Sequence, residues 1–191
     1  ELTHAIGVEQ DPDRMMERIL DASFELLPAE RVAIVLIDPV SKRPIKQLSR
    51  TRSSGDDEVI VSRTLLAEVI DKKTRVISAD AGADARFSRA QSICVEGVRS
   101  VMCVPLAYQD EVLGVMHADS LHAINAFRQA ELEFFSEVAS QAALVLKNLS
   151  LRTRVQALLE EERDRLEQLL RGLPVGVLLF DANCELVRAN R

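Results

Sequence analysis

Few side chains in this sequence could carry chemistry. Of 191 residues, three are histidines (His4, His117, His122) and three are cysteines (Cys94, Cys103, Cys184). A metal centre or a thiol nucleophile needs several such groups side by side. The best-placed pair is Cys103 and His117, within "SVMCVPLAYQDEVLGVMHAD". This stretch reads as a hairpin turning at Gln109 and Asp110. A two- or four-residue turn pairs Cys103 with Met116 and Met102 with His117. Alternation then places Val101, Cys103, Gly114, Met116 and Ala118 on one face. Met102, Val104, Leu106, Leu113, Val115 and His117 take the other. On this register Cys103 and His117 cannot share an ion. A loop of three or five residues would shift it. Cys103 is expected as a small buried hydrophobe and His117 as a half-buried strand residue. No phosphate loop, HExxH, GxSxG or kinase phospho-acceptor motif occurs. Neither a catalytic residue nor a metal site is expected in this segment.

The elements that must position these residues follow from apolar spacing. Met15, Ile19, Leu20, Phe24 and Leu27 keep a near-3.6 period, which predicts an amphipathic helix capped by Asp11, with Pro12 at its first position. "RVAIVLIDP" predicts a buried strand, "RPIKQLSRT" a second and "VIV" at 59–61 a short third. Ser62 caps a helix over "RTLLAEVIDKK", and "RVISAD" is a further strand. Residues 81–98 are a long connection with one short helix. Pro105 lacks an N–H, so it belongs at an edge or a bulge. From about Ala126 to Arg171 there is no Gly or Pro. That predicts one or two long helices of ~65 Å in all if unbroken. The second half carries Arg152, Val155, Leu159, Glu162, Leu166, Leu169 and Leu173 at alternating steps of three and four, an imperfect coiled-coil seam. The order predicts an α+β fold, a central antiparallel or mixed sheet flanked by helices with a long C-terminal helix.

Composition removes several classes. The net charge of -6 argues against non-specific nucleic-acid binding, which needs Lys and Arg to displace counterions. The longest apolar runs, Val32 to Ile37 and Leu173 to Phe180, fall far short of a bilayer span, so no membrane insertion is expected. Three scattered cysteines with no CxxC fit a reducing, cytoplasmic setting.

Several stretches taken in order resemble the GAF domain, a ligand-sensing and dimerising module of signalling proteins. They are "AIVLID" at 33–38, "DARF" at 84–87, "GVRSVMCVPL" at 97–106, "VLGVMHADS" at 112–120 and "AFRQAELEFFSEVASQAALVLKN" at 126–148. Gly97, Ser100, Pro105 and Leu106 match the family's Gly-x-x-Ser-x-x-x-x-Pro-Leu spacing. The tail "LPVGVLLFDANCELVRANR" is similar to the first hairpin of a PAS domain, with Gly176, Asp181 and Asn190 in the corresponding places. The resemblance implies a GAF-like sensor domain at 1–150, a coiled-coil signalling helix at 151–172 and the start of a truncated PAS-like domain at 173–191.

The parent such an arrangement implies is a multidomain bacterial signalling protein, foremost a sensor histidine kinase. The expected partner is a second copy in a parallel homodimer, with Phe135, Val138, Ala142, Val145, Leu149, Val155, Leu159, Leu166 and Leu169 at the interface. A small-molecule ligand would lie between one sheet face and the 80–98 connection, lined by Arg86, Phe87, Ser92, Cys94, Met102 and His117. Phe87 and Arg86 are equally read as a loop anchor and its ion pair. No cofactor is identified, and the cysteine–histidine pair of bilin-binding relatives is missing. The alternatives are a ligand-free dimerisation module, or a cyclic-nucleotide-binding regulatory domain of a transcriptional activator or cyclase. Of the latter's signature only Phe127 and Glu131 are matched.

Overall fold

A computed structural model describes residues 11–52, 59–87, 97–172 and 178–189. The chain divides into two units between Leu149 and Ser150.

The first unit opens with helix α1 (Pro12–Leu26). Asp13 N–H donates to Asp11 Oδ1 at 2.9 Å, and Pro12 fills the position that has no N–H partner to lose. At the other end the Arg52 guanidinium caps the helix. It donates to the carbonyls of Phe24 and Ala29 and lies 4.5 Å from the Phe24 ring centre.

Strands β1 (Arg31–Ile37) and β2 (Pro44–Thr51), helix α2 (Arg63–Lys72), and strands β3 (Val76–Ser78), β4 (Ser100–Tyr108) and β5 (Glu111–Ser120) follow. The strands form one sheet in the order β2-β1-β5-β4-β3, and every pairing is antiparallel. Val59 and Val61, expected in a strand, lie outside any strand yet are buried. Pro105 lies beyond the β3 ladder, which ends at Val76 opposite Cys103, so β4 is an edge at the proline.

Alternation along β1 divides the core in two. Val32 and Ile34 face α1 and the last helix, α3 (Gln129–Gly172), together with Met15, Ile19, Phe135 and Ala142. Ala33, Val35 and Ile37 face α2, together with Leu65, Val69 and Phe87.

The β4–β5 hairpin corrects the register expected from the sequence. Its turn has two residues, with Gln109 at φ +54°, and Tyr108 pairs with Glu111. Beyond Ala107↔Val112 the pairing jumps to Leu106↔Gly114, leaving Leu113 as an extra residue. From there Cys103 pairs with His117 and Met102 with Ala118. The one-residue bulge moves β5 to the opposite phase, so His117 and Val115 share the α2 face with Cys103. Met102, Val104, Met116 and Ala118 share the other.

In α3, Glu131 accepts the Arg128 N–H at 2.8 Å and starts the helix. Phe135, Val138, Ala142 and Leu149 were expected at a dimer interface. They form the stripe that covers the sheet and are buried in the chain's own core. Val145 is half-buried against that core. In the second unit, Val155, Leu159, Leu166 and Leu169 are 53–66% exposed. Strands β6 (Leu178–Phe180) and β7 (Leu186–Ala189) make a hairpin there. Its turn is held by Asn183 and Glu185 N–H groups on Asp181 Oδ1, both at 2.9 Å. Gly176, Asn190 and Leu173 lie outside the described residues. Among the described residues no helix is long and apolar enough to cross a membrane.

Gly114 on β5 lies tight against the β1 backbone. A Cβ there would strike the Val35 carbonyl and crowd Leu36 Cα, both fixed backbone. Gly114→Ala should therefore cost about 1–3 kcal/mol through forced strand separation. Gly172→Ala, which meets open space at a helix end, should be neutral or slightly stabilising. Urea unfolding of the two variants side by side checks this.

Candidate functional site

The α2 face of the sheet is mostly aliphatic, but one end carries a buried ionic row. Arg31 opens β1, and the pairing Arg31↔Asp119 brings it opposite the end of β5. Its Nε donates to Asp119 Oδ1 and its Nη2 to Oδ2, each at 2.8 Å, a two-pronged guanidinium–carboxylate pair. His117, two residues earlier on the same face, places Nε2 2.8 Å from Asp119 Oδ2. All three are buried, Asp119 completely. Burial by itself would raise the Asp119 carboxyl. The hydrogen bonds and charges of His117 and Arg31 outweigh it and hold the group below the ordinary carboxylate range.

The bond to Asp119 leaves His117 with one ring nitrogen to spare. Nδ1 is buried and has no hydrogen-bond partner among the described residues. Its cross-strand neighbours on the face are Ala33 and Cys103. The tautomer and charge of the ring set whether Nδ1 donates or accepts. A buried group without a partner costs about 1–3 kcal/mol. A small molecule or water completing one hydrogen bond would recover it.

Cys103 and His117 do share a face, so the expected register argument against a common ion fails. Two other observations bear on the pair. Burial pushes the Cys103 thiol far above its ordinary value, which opposes the thiolate a metal requires. No three potential ligands converge among the described residues.

The "DARF" turn is a clamp. Ser78 Oγ donates to Asp84 Oδ2 at 2.8 Å, fastening the turn to β3. Arg86 donates to both Asp84 oxygens and to the Ile77 carbonyl, and its guanidinium lies 5.1 Å from the Phe87 ring centre. Hydrogen bonds from Arg86 pull the Asp84 carboxyl far down, against burial. Phe87 is buried in the α2-face core. Arg86 and Phe87 thus serve the anchor-and-ion-pair reading. Of the other expected lining residues, His117 lies on the α2 face and Met102 on the opposite one. Ser92 and Cys94 lie outside the described residues. Phe127 is buried on the α1–α3 side and Glu131 is spent on the helix start. Neither reaches the α2 face.

Sequence reasoning missed Arg31 and Asp119. Asp119 has the parity of His117 within an otherwise apolar strand, which is a signal for an inward charge. Its partner is set by the β1–β5 pairing, which no local pattern reveals.

The fold and the matched sequence define a class. Residues 11–146 match the GAF domain model, and the chain belongs to the GAF domain family, a group of signalling sensor modules. Among solved structures it is similar to the GAF domain of the cyanobacteriochrome TePixJ, at TM-score 0.63 and 20% identity over 76% of this chain and 95% of that one. It is also similar to the GAF domain of an Acinetobacter phosphoenolpyruvate-protein phosphotransferase (TM-score 0.64, 17% identity, 78% and 90% covered). A third is the free methionine-R-sulfoxide reductase of Neisseria meningitidis in complex with its substrate (TM-score 0.61, 17% identity, 79% and 87% covered). At these identities the likeness is one of fold. No curated protein matches the chain.

Asp119→Asn should destabilise the fold by roughly 3–5 kcal/mol at neutral pH, because it strands the buried Arg31 charge. The deficit has a pH signature. A carboxyl lowered in the fold contributes fully above its ordinary value of about 3.9 and is lost as the pH falls below that, through the folded value. Urea midpoints measured down the acid limb should therefore show wild type and variant converging. A deficit that is constant down to acid pH would refute the charged role of Asp119.

Proposed function

We propose that this chain is a sensing and dimerisation module of a multidomain bacterial signal-transduction protein, with a sensor histidine kinase as the foremost parent. In this reading a ligand on the α2 face, or a change in helix packing, is relayed through α3 to a PAS domain beginning at 173–191. The observation that carries it is the change of character along α3. Up to Leu149 its apolar stripe is spent on the chain's own core. Past Ser150, Val155, Leu159, Leu166 and Leu169 keep the three-four spacing but stand exposed among charged residues. A second copy in parallel register would cover that seam. The buried His117 Nδ1, without a partner among the described residues, supports a ligand on the α2 face.

A ligand-free relay is the second reading, supported by the burial of Phe87 and Cys103, both at most 1% exposed. Native mass spectrometry separates the two: releasable extra mass supports the sensor, and a clean dimer supports the relay.

Light scattering after size exclusion should give a dimer. Leu159→Glu with Leu166→Glu should raise its Kd at least ~100-fold, since each leucine contributes about 1.5–3 kcal/mol of burial. Leu159→Cys should cross-link to itself if the pairing is parallel. A monodisperse wild-type monomer at high concentration would rule the dimer out.

A further inference from the structure

The β1–β2 turn and one side of α2 enclose a cleft of about 700 Å³, within the range of small-molecule sites. Its apolar wall is Leu66, Ala67 and Ile70, and its polar groups are Lys42, Arg43, Arg63 and Asp71. Three cations face one carboxylate, a surplus of two positive charges on a chain whose net charge is -6. Other basic residues of these elements are paired: Lys46 with Asp13, Arg50 with Asp21 and Lys72 with Glu68. Lys42, Arg43 and Arg63 make no ion pair within salt-bridge distance among the described residues, and Asp38 attracts Lys42 at longer range.

The turn that presents two of these cations is preorganised. Asp38 Oδ1 accepts the N–H groups of Ser41 at 2.6 Å and Val40 at 3.2 Å. Asp38 N–H donates to the Arg43 carbonyl, and Lys42 N–H to the Asp38 carbonyl, each at 2.9 Å. These bonds hold Lys42 at φ +57°, a conformation lysine does not favour. They also occupy the Asp38 carboxylate and draw its pKa down, the Ser41 bond foremost. Arg63 arrives independently, on the first turn of α2.

We propose that this cleft binds a small phosphomonoester with an apolar body. A phosphomonoester carries about −1.5 to −2 charges near neutral pH, matching the surplus. Its oxygens would accept charge-assisted bonds from the two guanidiniums and the ammonium. The body would lie on Leu66 and Ile70. Asp71 would accept an N–H or O–H and repel a second anionic group. The site needs only α2 and the β1–β2 turn, so it stands whether or not two copies pair along α3.

The test is calorimetric titration of the whole chain with phenyl phosphate, against inorganic phosphate, benzoate and phenol. Phenyl phosphate should bind at least ~10-fold tighter than each of the others, and more weakly as salt is raised. Arg63→Ala, and separately Lys42→Ala with Arg43→Ala, should each weaken it by ~10-fold or more. All three side chains are exposed, so unchanged circular dichroism and Tm should accompany the loss. Wild-type affinity in the variants, equal binding of inorganic phosphate or benzoate, or no binding of phenyl phosphate would each overturn the proposal.

Discussion

The buried pair of Arg31 and Asp119 requires β5 to present its odd-numbered residues to α2, and a single extra residue secures this. Leu113 bulges out of the β4–β5 ladder. Without it, every side chain from Gly114 onward would turn over. Asp119 and His117 would then meet the dry, aliphatic face packed by α1 and α3, and Arg31 would lose its carboxylate. An uncompensated charge in either place costs several kcal/mol. The bulge, the β1–β5 pairing and the ionic row therefore specify one another.

The two sheet faces differ in composition. The α1–α3 face is filled by methionine, leucine, isoleucine and phenylalanine, with Met102 and Met116 at its centre. The α2 face is lined by smaller residues, Ala33, Val35, Val101 and Cys103, and its polar groups are concentrated at the Arg31 end. Large flexible side chains fill one face, while the other combines smaller strand residues with the buried ionic row. The "DARF" clamp fastens the segment that leads away from β3 over this second face.

Helix α3 joins tasks that physics usually separates. Its first part contributes side chains such as Phe135 and Ala142 to a core and is fixed by them. Its second part contributes nothing to a core of its own: the leucines there are exposed and flanked by Glu160, Glu161, Arg163 and Arg165. Helical stability in such a stretch comes from local propensity and charge pairs such as Arg171 with Glu167.

Much of this was legible in the sequence. The α1 start follows from Asp11 and Pro12, the strands from short apolar runs, and the length of α3 from the want of Gly and Pro. Such signals are local, and the helix and strand periods report them directly. The order of helices and strands supplied the α+β class, and the stretches shared with GAF domains the family resemblance. What the tertiary structure alone decided was which residues meet. A bulge leaves no trace in apolar alternation, since Gly114 and Val115 suit either phase, so Cys103 and His117 were read onto opposite faces. The period of the Phe135 and Ala142 stripe suits a sheet or a second helix equally, and the fold sets it on the sheet. Arg31 and Asp119 are 88 residues apart, and Lys42 and Arg63 come from elements with no local link. The sequence by itself determined the elements and their class. Only the folded chain decided their register and their neighbours, because both depend on pairings between distant strands, which the energetics of burial select.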